Sequence, residues 1–109
     1  LDKARAMPLR APLLVVVVAR IAEHPKVPQE EQLLSAGCAA HSLLLATQAL
    51  GFGAIWRTGA LAQHPHVLAG LGLEAGEKIV GFLYVGSFEG ERRNPPALQP
   101  LDFVSAWQG

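Results

Sequence analysis

The chain has little cysteine, no net charge and no long hydrophobic run. Cys38 is the only cysteine, which excludes an internal disulfide framework and a paired-cysteine metal site and favours a reducing, cytoplasmic compartment. Nine basic side chains balance nine acidic ones, so the sequence provides no positive field to hold a nucleic acid backbone. The longest apolar stretch, residues 12–22, is interrupted by Arg20 and has about half of the roughly 20 residues that a membrane span needs. We therefore expect neither a nucleic acid partner nor a membrane anchor.

Apolar residues, in contrast, make up 50% of the 109 residues. A single domain of this size buries only about two-thirds of the surface that its unfolded chain exposes. We therefore expect part of the apolar surface to be covered from outside the sequence, by a second copy, by missing sequence, or by both. The first residue is Leu1, without a methionine, which indicates the later part of a longer protein.

The apolar pattern predicts two buried strands and one long helix. The strands are the β-branched run 13–19 and the segment 78–85, neither of which alternates with polar residues, so we expect both faces of each to be buried. The helix begins near Pro28, where the first turn tolerates proline, and ends at Gly51. Apolar and small residues surround its axis, which predicts a central helix buried on all sides.

The remaining segments predict shorter elements and loops within one domain spanning residues 1–109. Residues 54–57 form a strand and residues 65–71 a short helix, while residues 87–100 form an exposed proline-rich loop that carries Arg92 and Arg93. Residues 101–107 become apolar again. Because an apolar tail needs cover, we expect this last segment to be a strand or hook that docks on a partner.

Residues 50–61 carry the strongest indication of a binding site. Glycines in this segment have no Cβ, so a ligand can approach the backbone closely. Trp56, Arg57 and Thr58 add an aromatic face, a forked cation and a hydroxyl in succession. The segment predicts one wall of a site for a planar, polar-edged, anionic cofactor.

Three segments stand in a characteristic order: Ser-Ala-Gly-Cys-Ala-Ala at 35–40, Gly-Phe-Gly-Ala-Ile-Trp-Arg-Thr-Gly at 51–59 and Lys-Ile-Val-Gly-Phe-Leu-Tyr-Val-Gly at 78–86. Together they resemble the FMN-dependent nitroreductases. The likeness is greatest to the YdjA subgroup of small bacterial NAD(P)H nitroreductases, and it extends over essentially the whole chain. Members of that family are nearly twice as long, so the sequence resembles their C-terminal portion. The resemblance implies an α+β fold with a mixed sheet flanked by helices, a long buried central helix, and an intertwined homodimer with FMN at the interface.

The resemblance also implies roles for five residues. Trp56, Arg57 and Thr58 match positions that line the isoalloxazine ring, and Arg92 and Arg93 match the place of basic residues that reach the flavin phosphate. The Arg-Arg-Ser-type phosphate motif of the family has no counterpart in this sequence, so we expect weak FMN binding or none by these 109 residues alone. The implied activity is ping-pong hydride transfer from NAD(P)H to nitroaromatics, quinones or similar electron-poor acceptors, with no catalytic side chain required.

Structural roles compete with these functional ones. Trp56 could equally be a core aromatic residue at the end of a strand, and Arg57 could be an ordinary surface cation. Arg92 and Arg93 could belong to a solvated loop. Cys38 is typical of a small core residue and His41 of a polar group at an interface. For the whole chain, the alternative to an oxidoreductase is a non-catalytic dimerisation domain or truncated remnant that does not bind flavin.

Histidines are the remaining candidates for a metal site. His64 and His66 flank a proline, and His24 or His41 would have to complete the set, but no cysteine or carboxylate stands at a suitable spacing. The sequence therefore predicts no metal site. The scattered carboxylates and the absence of a plausible Ser-His-Asp arrangement likewise predict no catalytic triad.

Overall fold

The computed structural model describes residues 10–88, 90 and 93–109, which form an α+β fold. None of the helices in this part of the chain is long and apolar enough to cross a membrane. The elements follow in the order β1 (Leu13–Arg20), α1 (Gln29–Ala49), β2 (Phe52–Arg57), a 3-10 turn (Ala60–Gln63), α2 (Pro65–Gly70), β3 (Glu77–Ser87) and a second 3-10 turn (Pro100–Asp102). The fold class expected from the sequence is confirmed.

The three strands form an antiparallel sheet in which β3 lies between β1 and β2. The mixed pairing that the resemblance implies does not occur among these described strands. Phe82, Leu83 and Tyr84 at the centre of β3 are buried, as expected for a strand covered on both faces. The same expectation is wrong for β1, which is mostly half-buried, because it lies at the edge of the described sheet and Leu13 is 53% exposed.

Helix α1 begins and ends close to the predicted limits. Pro28 precedes its first residue in an extended conformation, and Glu30 and Glu31 lie in its first turn, where the positive end of the helix dipole favours carboxylates. At the other end Gly51 has a φ of 89°, and its N–H donates to the carbonyl of Gln48. A left-handed residue after the last turn is a common way to end a helix, and glycine adopts it without strain.

One face of α1 packs on the sheet. The residues at least partly covered recur every three or four positions, as one face of a helix requires: Gln32, Ala36, Gly37, Ala40, Leu44 and Thr47. Leu34 and Leu45 of α1 are 69% and 55% exposed, and Leu50, directly after the helix, is 76% exposed. Within this chain the helix is therefore covered on one face, and the all-round burial expected from its composition is not supplied by the chain itself.

Cys38 lies among the exposed residues of α1. The prediction that it is a core residue is therefore wrong for the single chain. The reason is its position on the helix, which turns it away from the sheet, whereas Gly37 and Ala40 face the sheet.

The C-terminal segment forms a 3-10 turn and then continues without regular structure. No strand occurs in residues 101–107 of the single chain, and a strand or hook that docks on a partner stays a prediction. Phe103, Val104 and Trp107 are 72%, 69% and 91% exposed, so this apolar segment contacts little else in the described chain. Docking of this segment on a partner remains a prediction, as does the assignment of residues 1–109 to one domain.

Candidate ligand-binding cleft

A cleft of about 780 Å³ lies where α1, β2 and the segments flanking β1 and β3 meet. The second half of α1 forms one wall, with His41, Leu44 and Gln48, and β2 forms another. Small-molecule sites commonly occupy clefts of about 300–1,000 Å³ with mostly apolar walls and a few polar groups. In size and composition this cleft suits a small organic ligand.

The charged residues that the structure describes in the cleft all have one sign. Arg10, Arg57 and Arg93 line it, and no aspartate or glutamate is found among its described lining residues. Within the part of the chain that the structure describes, none of these guanidinium groups forms an ion pair with a carboxylate. The described lining of the cleft therefore contributes a positive field that favours an anionic ligand.

Two glycines in adjacent strands form a side-chain-free patch at one end of the cleft. Gly53 and Gly86 are directly opposite each other in the β2–β3 register. Phe88 packs over Gly53, where a Cβ would lie 3.3 Å from Phe88 Cδ2, and Pro12 packs over Gly86, where a Cβ would lie 3.0 Å from Pro12 Cδ. The two rings therefore rest on bare backbone, and a side chain at either glycine would require a small shift of the ring above it.

β2 is the edge strand on the cleft side of the sheet. Among the described strands it pairs with β3 alone, so the backbone N–H and C=O groups along its other edge have no strand partner there. Such groups are donors and acceptors at fixed spacing. A planar ligand with polar atoms along one edge matches that arrangement.

Trp56 and Arg57 lie on opposite faces of β2, because successive side chains of a strand alternate. Arg57 lines the cleft. The Trp56 indole instead packs between the sheet and α1: its Nε1–H donates to the carbonyl of Val80 over 3.2 Å, and its Cη2 lies 3.9 Å from the position of a Cβ at Gly37. The Trp56 side chain thus packs β2 against the sheet on the face that α1 covers, whereas the Arg57 side chain is available to a ligand.

The structure brings together two of the five predicted cofactor residues, Arg57 and Arg93. Trp56 packs on the other face of the sheet, and Thr58 lies exposed just after β2 and does not line the cleft. Arg92 lies outside the described residues. The cofactor-binding roles of all five remain predictions.

Sequence reasoning missed Arg10, His41 and Tyr84, which also line the cleft. Arg10 precedes β1, and the pairing of Leu13 with Val85 brings it near the end of β3. No local pattern marks it as a site residue, because its position depends on strand pairing. The sequence does not mark Tyr84 as a site residue for a different reason. The apolar strand around it indicates a packing role in the core.

The histidines considered as metal ligands have local structural contacts. The rings of His64 and His66 lie 5.5 Å apart, and Nδ1 of His64 accepts a hydrogen bond from the backbone N–H of His66 at the start of α2. His24 Nδ1 accepts in the same way from the backbone of Lys26 and Val27. Among the described residues, no group of three or more His, Cys, Asp or Glu side chains is placed to hold a metal ion.

Comparison with known proteins shows consistent similarities. The model of the family described as "Nitroreductase family" matches residues 1–87. The Escherichia coli K12 protein named "Putative NAD(P)H nitroreductase YdjA" is 52% identical over 87 residues, which are 80% of this chain and 48% of that protein. A Haemophilus influenzae protein named "Putative NAD(P)H nitroreductase" is 35% identical over 107 residues, 96% of this chain and 58% of that protein. The chain thus spans about half the length of the curated relatives that it matches.

The fold is also similar to that of a solved structure. The crystal structure of a nitroreductase-like family protein from Bacillus cereus superposes with a TM-score of 0.77 and covers 99% of this chain and 60% of the other. The two sequences are 23% identical, so this comparison supports the fold.

Proposed function

The chain belongs to the nitroreductase family, and from this premise we propose that it is part of an FMN-dependent oxidoreductase that uses NAD(P)H to reduce nitroaromatics, quinones or similar electron-poor acceptors. The observation that carries the proposal is the charge of the cleft, which Arg10, Arg57 and Arg93 line without a described carboxylate. A phosphorylated, planar cofactor is an anionic ligand of the kind that such a cleft favours.

The residues present fit FMN. A guanidinium fork binds phosphate oxygens in pairs, and Arg93 is the described residue proposed for this role, with Arg92 beside it in sequence. Arg57 and the open backbone edge of β2 would meet the polar edge of the ring system. FMN itself supplies the hydride chemistry when bound.

The protein's part of the reaction is binding and electrostatics. The Arg57 cation would stabilise negative charge that develops on a bound planar ring as it accepts electrons. Leu44 and Leu45 of α1 line the same cleft and would reduce access of water to the ring. No general acid or base is proposed.

We also propose a homodimer with the cofactor site at its interface. The exposed leucines of α1 and the exposed apolar segment 101–107 support this, because contiguous apolar surface commonly marks a protein interface. A cytoplasmic location is proposed on the basis of the single cysteine alone.

The test is flavin binding by the 109-residue chain. FMN is titrated into the purified protein, the visible flavin absorption band is recorded, and NADPH or NADH is then added. We expect the bound flavin to lose its oxidised band on addition of the nicotinamide. We expect Arg57→Gln to weaken FMN binding about tenfold or more, since a hydrogen bond to a charged group contributes roughly 1.5–3 kcal/mol.

Arg20→Gln is the matched control, because Arg20 is exposed at the end of β1 and does not line the cleft. Its FMN affinity should equal that of the unsubstituted chain. A chain that retains no flavin band after unbound FMN is removed contradicts flavin binding by these 109 residues and favours, for them, the alternative of a non-catalytic dimerisation domain or truncated remnant without flavin.

A further inference from the structure

Tyr84, the only tyrosine of the chain, is buried in the sheet and yet lines the cleft. Its side chain is 8% exposed and packs with Phe82 and Ala62. Among the described residues, no side chain or backbone group forms a hydrogen bond with the Tyr84 hydroxyl. A buried tyrosine hydroxyl normally has a partner, so this hydroxyl has an unused donor and acceptor.

The position of the hydroxyl follows from the burial of polar atoms. In the described chain, every side-chain nitrogen or oxygen that is fully buried has a hydrogen-bond partner. Because the Tyr84 hydroxyl has none, it must reach solvent. Tyr84 lines the cleft and is 8% exposed, which agrees with a hydroxyl that meets solvent at the cleft wall.

Strand register places this hydroxyl on the same face of the sheet as Arg57. Arg57 is opposite Phe82, and Ile55 is opposite Tyr84. Arg57 and Tyr84 are therefore diagonal neighbours, a relationship that separates Cα atoms by roughly 7–8 Å. One face of the sheet thus presents a guanidinium group and a hydroxyl to the same cleft.

We propose that Tyr84 is a ligand-binding residue whose hydroxyl donates a hydrogen bond to an acceptor atom on the planar ring of the anionic ligand in the cleft. A ligand attracted by three arginines is rich in acceptor oxygens, so the hydroxyl acts as the donor. The ring of Tyr84 is locked by the core, which fixes the direction of the hydroxyl before the ligand arrives. This inference rests on the proposed function, in which the ligand is FMN.

Tyr84→Phe tests the inference, because it keeps the ring in the core and removes only the hydroxyl. We expect FMN affinity, measured by the change in flavin fluorescence, to fall about twofold to tenfold. The absorption band of the bound flavin should also shift relative to the unsubstituted complex, since it reports a hydrogen bond to the ring. The urea unfolding midpoint should be unchanged, because the hydroxyl has no partner within the described protein.

Ser42→Ala is the control for the loss of a hydroxyl outside the cleft, since Ser42 Oγ donates to the carbonyl of Cys38 on α1. It should leave both the affinity and the band unchanged. If the unsubstituted chain binds FMN and Tyr84→Phe matches it in affinity and spectrum, the role of Tyr84 is overturned and the proposed function stands. A lower unfolding midpoint with an unshifted band indicates a packing role and also overturns it. Failure of the unsubstituted chain to bind FMN overturns both proposals for these 109 residues.

Discussion

The indole of Trp56 occupies the space that a side chain at Gly81 would need. A Cβ at Gly81 would overlap Trp56 Nε1, and the same nitrogen donates to the carbonyl of the neighbouring Val80. Trp56 belongs to β2 and Gly81 to β3, so this contact joins the edge strand to the central strand on the face that α1 covers. The next residue, Arg57, points into the cleft on the other face.

We expect Gly81→Ala to lower the free energy of unfolding by about 1–3 kcal/mol, the usual cost of adding atoms to a tightly packed core. Urea denaturation measures this. Gly70→Ala is the matched control, because a Cβ there meets nothing within 4 Å and Gly70 is the last residue of α2. It should leave stability unchanged or raise it by up to about 1 kcal/mol. Equal stability of Gly81→Ala and the unsubstituted protein would contradict the packing described for Trp56.

Trp56→Phe should remove the hydrogen bond to Val80 and lower the free energy of unfolding by about 1–2 kcal/mol. It also isolates the emission of Trp107, which is 91% exposed in the single chain, so at protein concentrations where the chain is monomeric the fluorescence maximum should move to the red. In the monomer, Trp107→Phe should have the opposite spectral effect and change stability by less than about 0.5 kcal/mol. Identical emission maxima for the two variants would show that Trp56 is not partly buried in solution.

Gln32 joins the start of α1 to the end of β1 and the loop between them. Its Oε1 accepts a hydrogen bond from the N–H of Ala22 over 2.9 Å, and its Nε2 donates to the carbonyl of Ala22 over 2.8 Å. The same Nε2 also donates to the carbonyl of Val27. We expect Gln32→Ala to lower the free energy of unfolding by about 1–3 kcal/mol. Gln29→Ala, at the exposed first residue of α1, should change it by less than about 0.5 kcal/mol. Urea denaturation of the two variants would contradict the anchoring role if their midpoints were equal.

The exposed face of α1 gives a prediction for assembly. Leu34→Glu places a charge on a leucine that is 69% exposed, and we expect it to shift the proposed dimer towards monomer, because an unpaired charge in an apolar interface is unfavourable. Sedimentation velocity measures the change in mass. Leu71→Glu, at a leucine 49% exposed beyond α2, should leave the mass unchanged. A monomer for the unsubstituted chain would contradict the dimer directly.

Local sequence signals were sufficient for the main elements. Pro28 and Gly51 bracket the long helix within a residue or two because each has backbone preferences that start or end a helix regardless of its surroundings. The strand around Phe82 was recognised from an apolar run. The burial of β1 was overestimated because burial of a strand depends on its place in the sheet order, and the composition of β1 contains no information on that order.

The candidate site was only partly predictable. Arg57 was identified as a ligand-binding residue together with Trp56, although alternation along a strand separates their side chains. That alternation was available in the sequence and would have placed the two on opposite faces. The positions of Arg10 and Tyr84 in the cleft could not be predicted from alternation along a strand. They depend on the pairing of β1 and β2 with β3.

The sequence by itself determined the family, the order of helix and strands and the presence of an aromatic, basic and hydroxyl run at 56–58, because these depend on residue types and short-range backbone preferences. Only the tertiary structure decided that Arg10, Arg57 and Arg93 line one cleft free of described carboxylates, and that Trp56 packs against Gly81 behind it. The physical reason is that strand register and the contact between α1 and the sheet decide which charged residues lie together and which face of the sheet each side chain is on. Both bring together residues that are far apart in the chain.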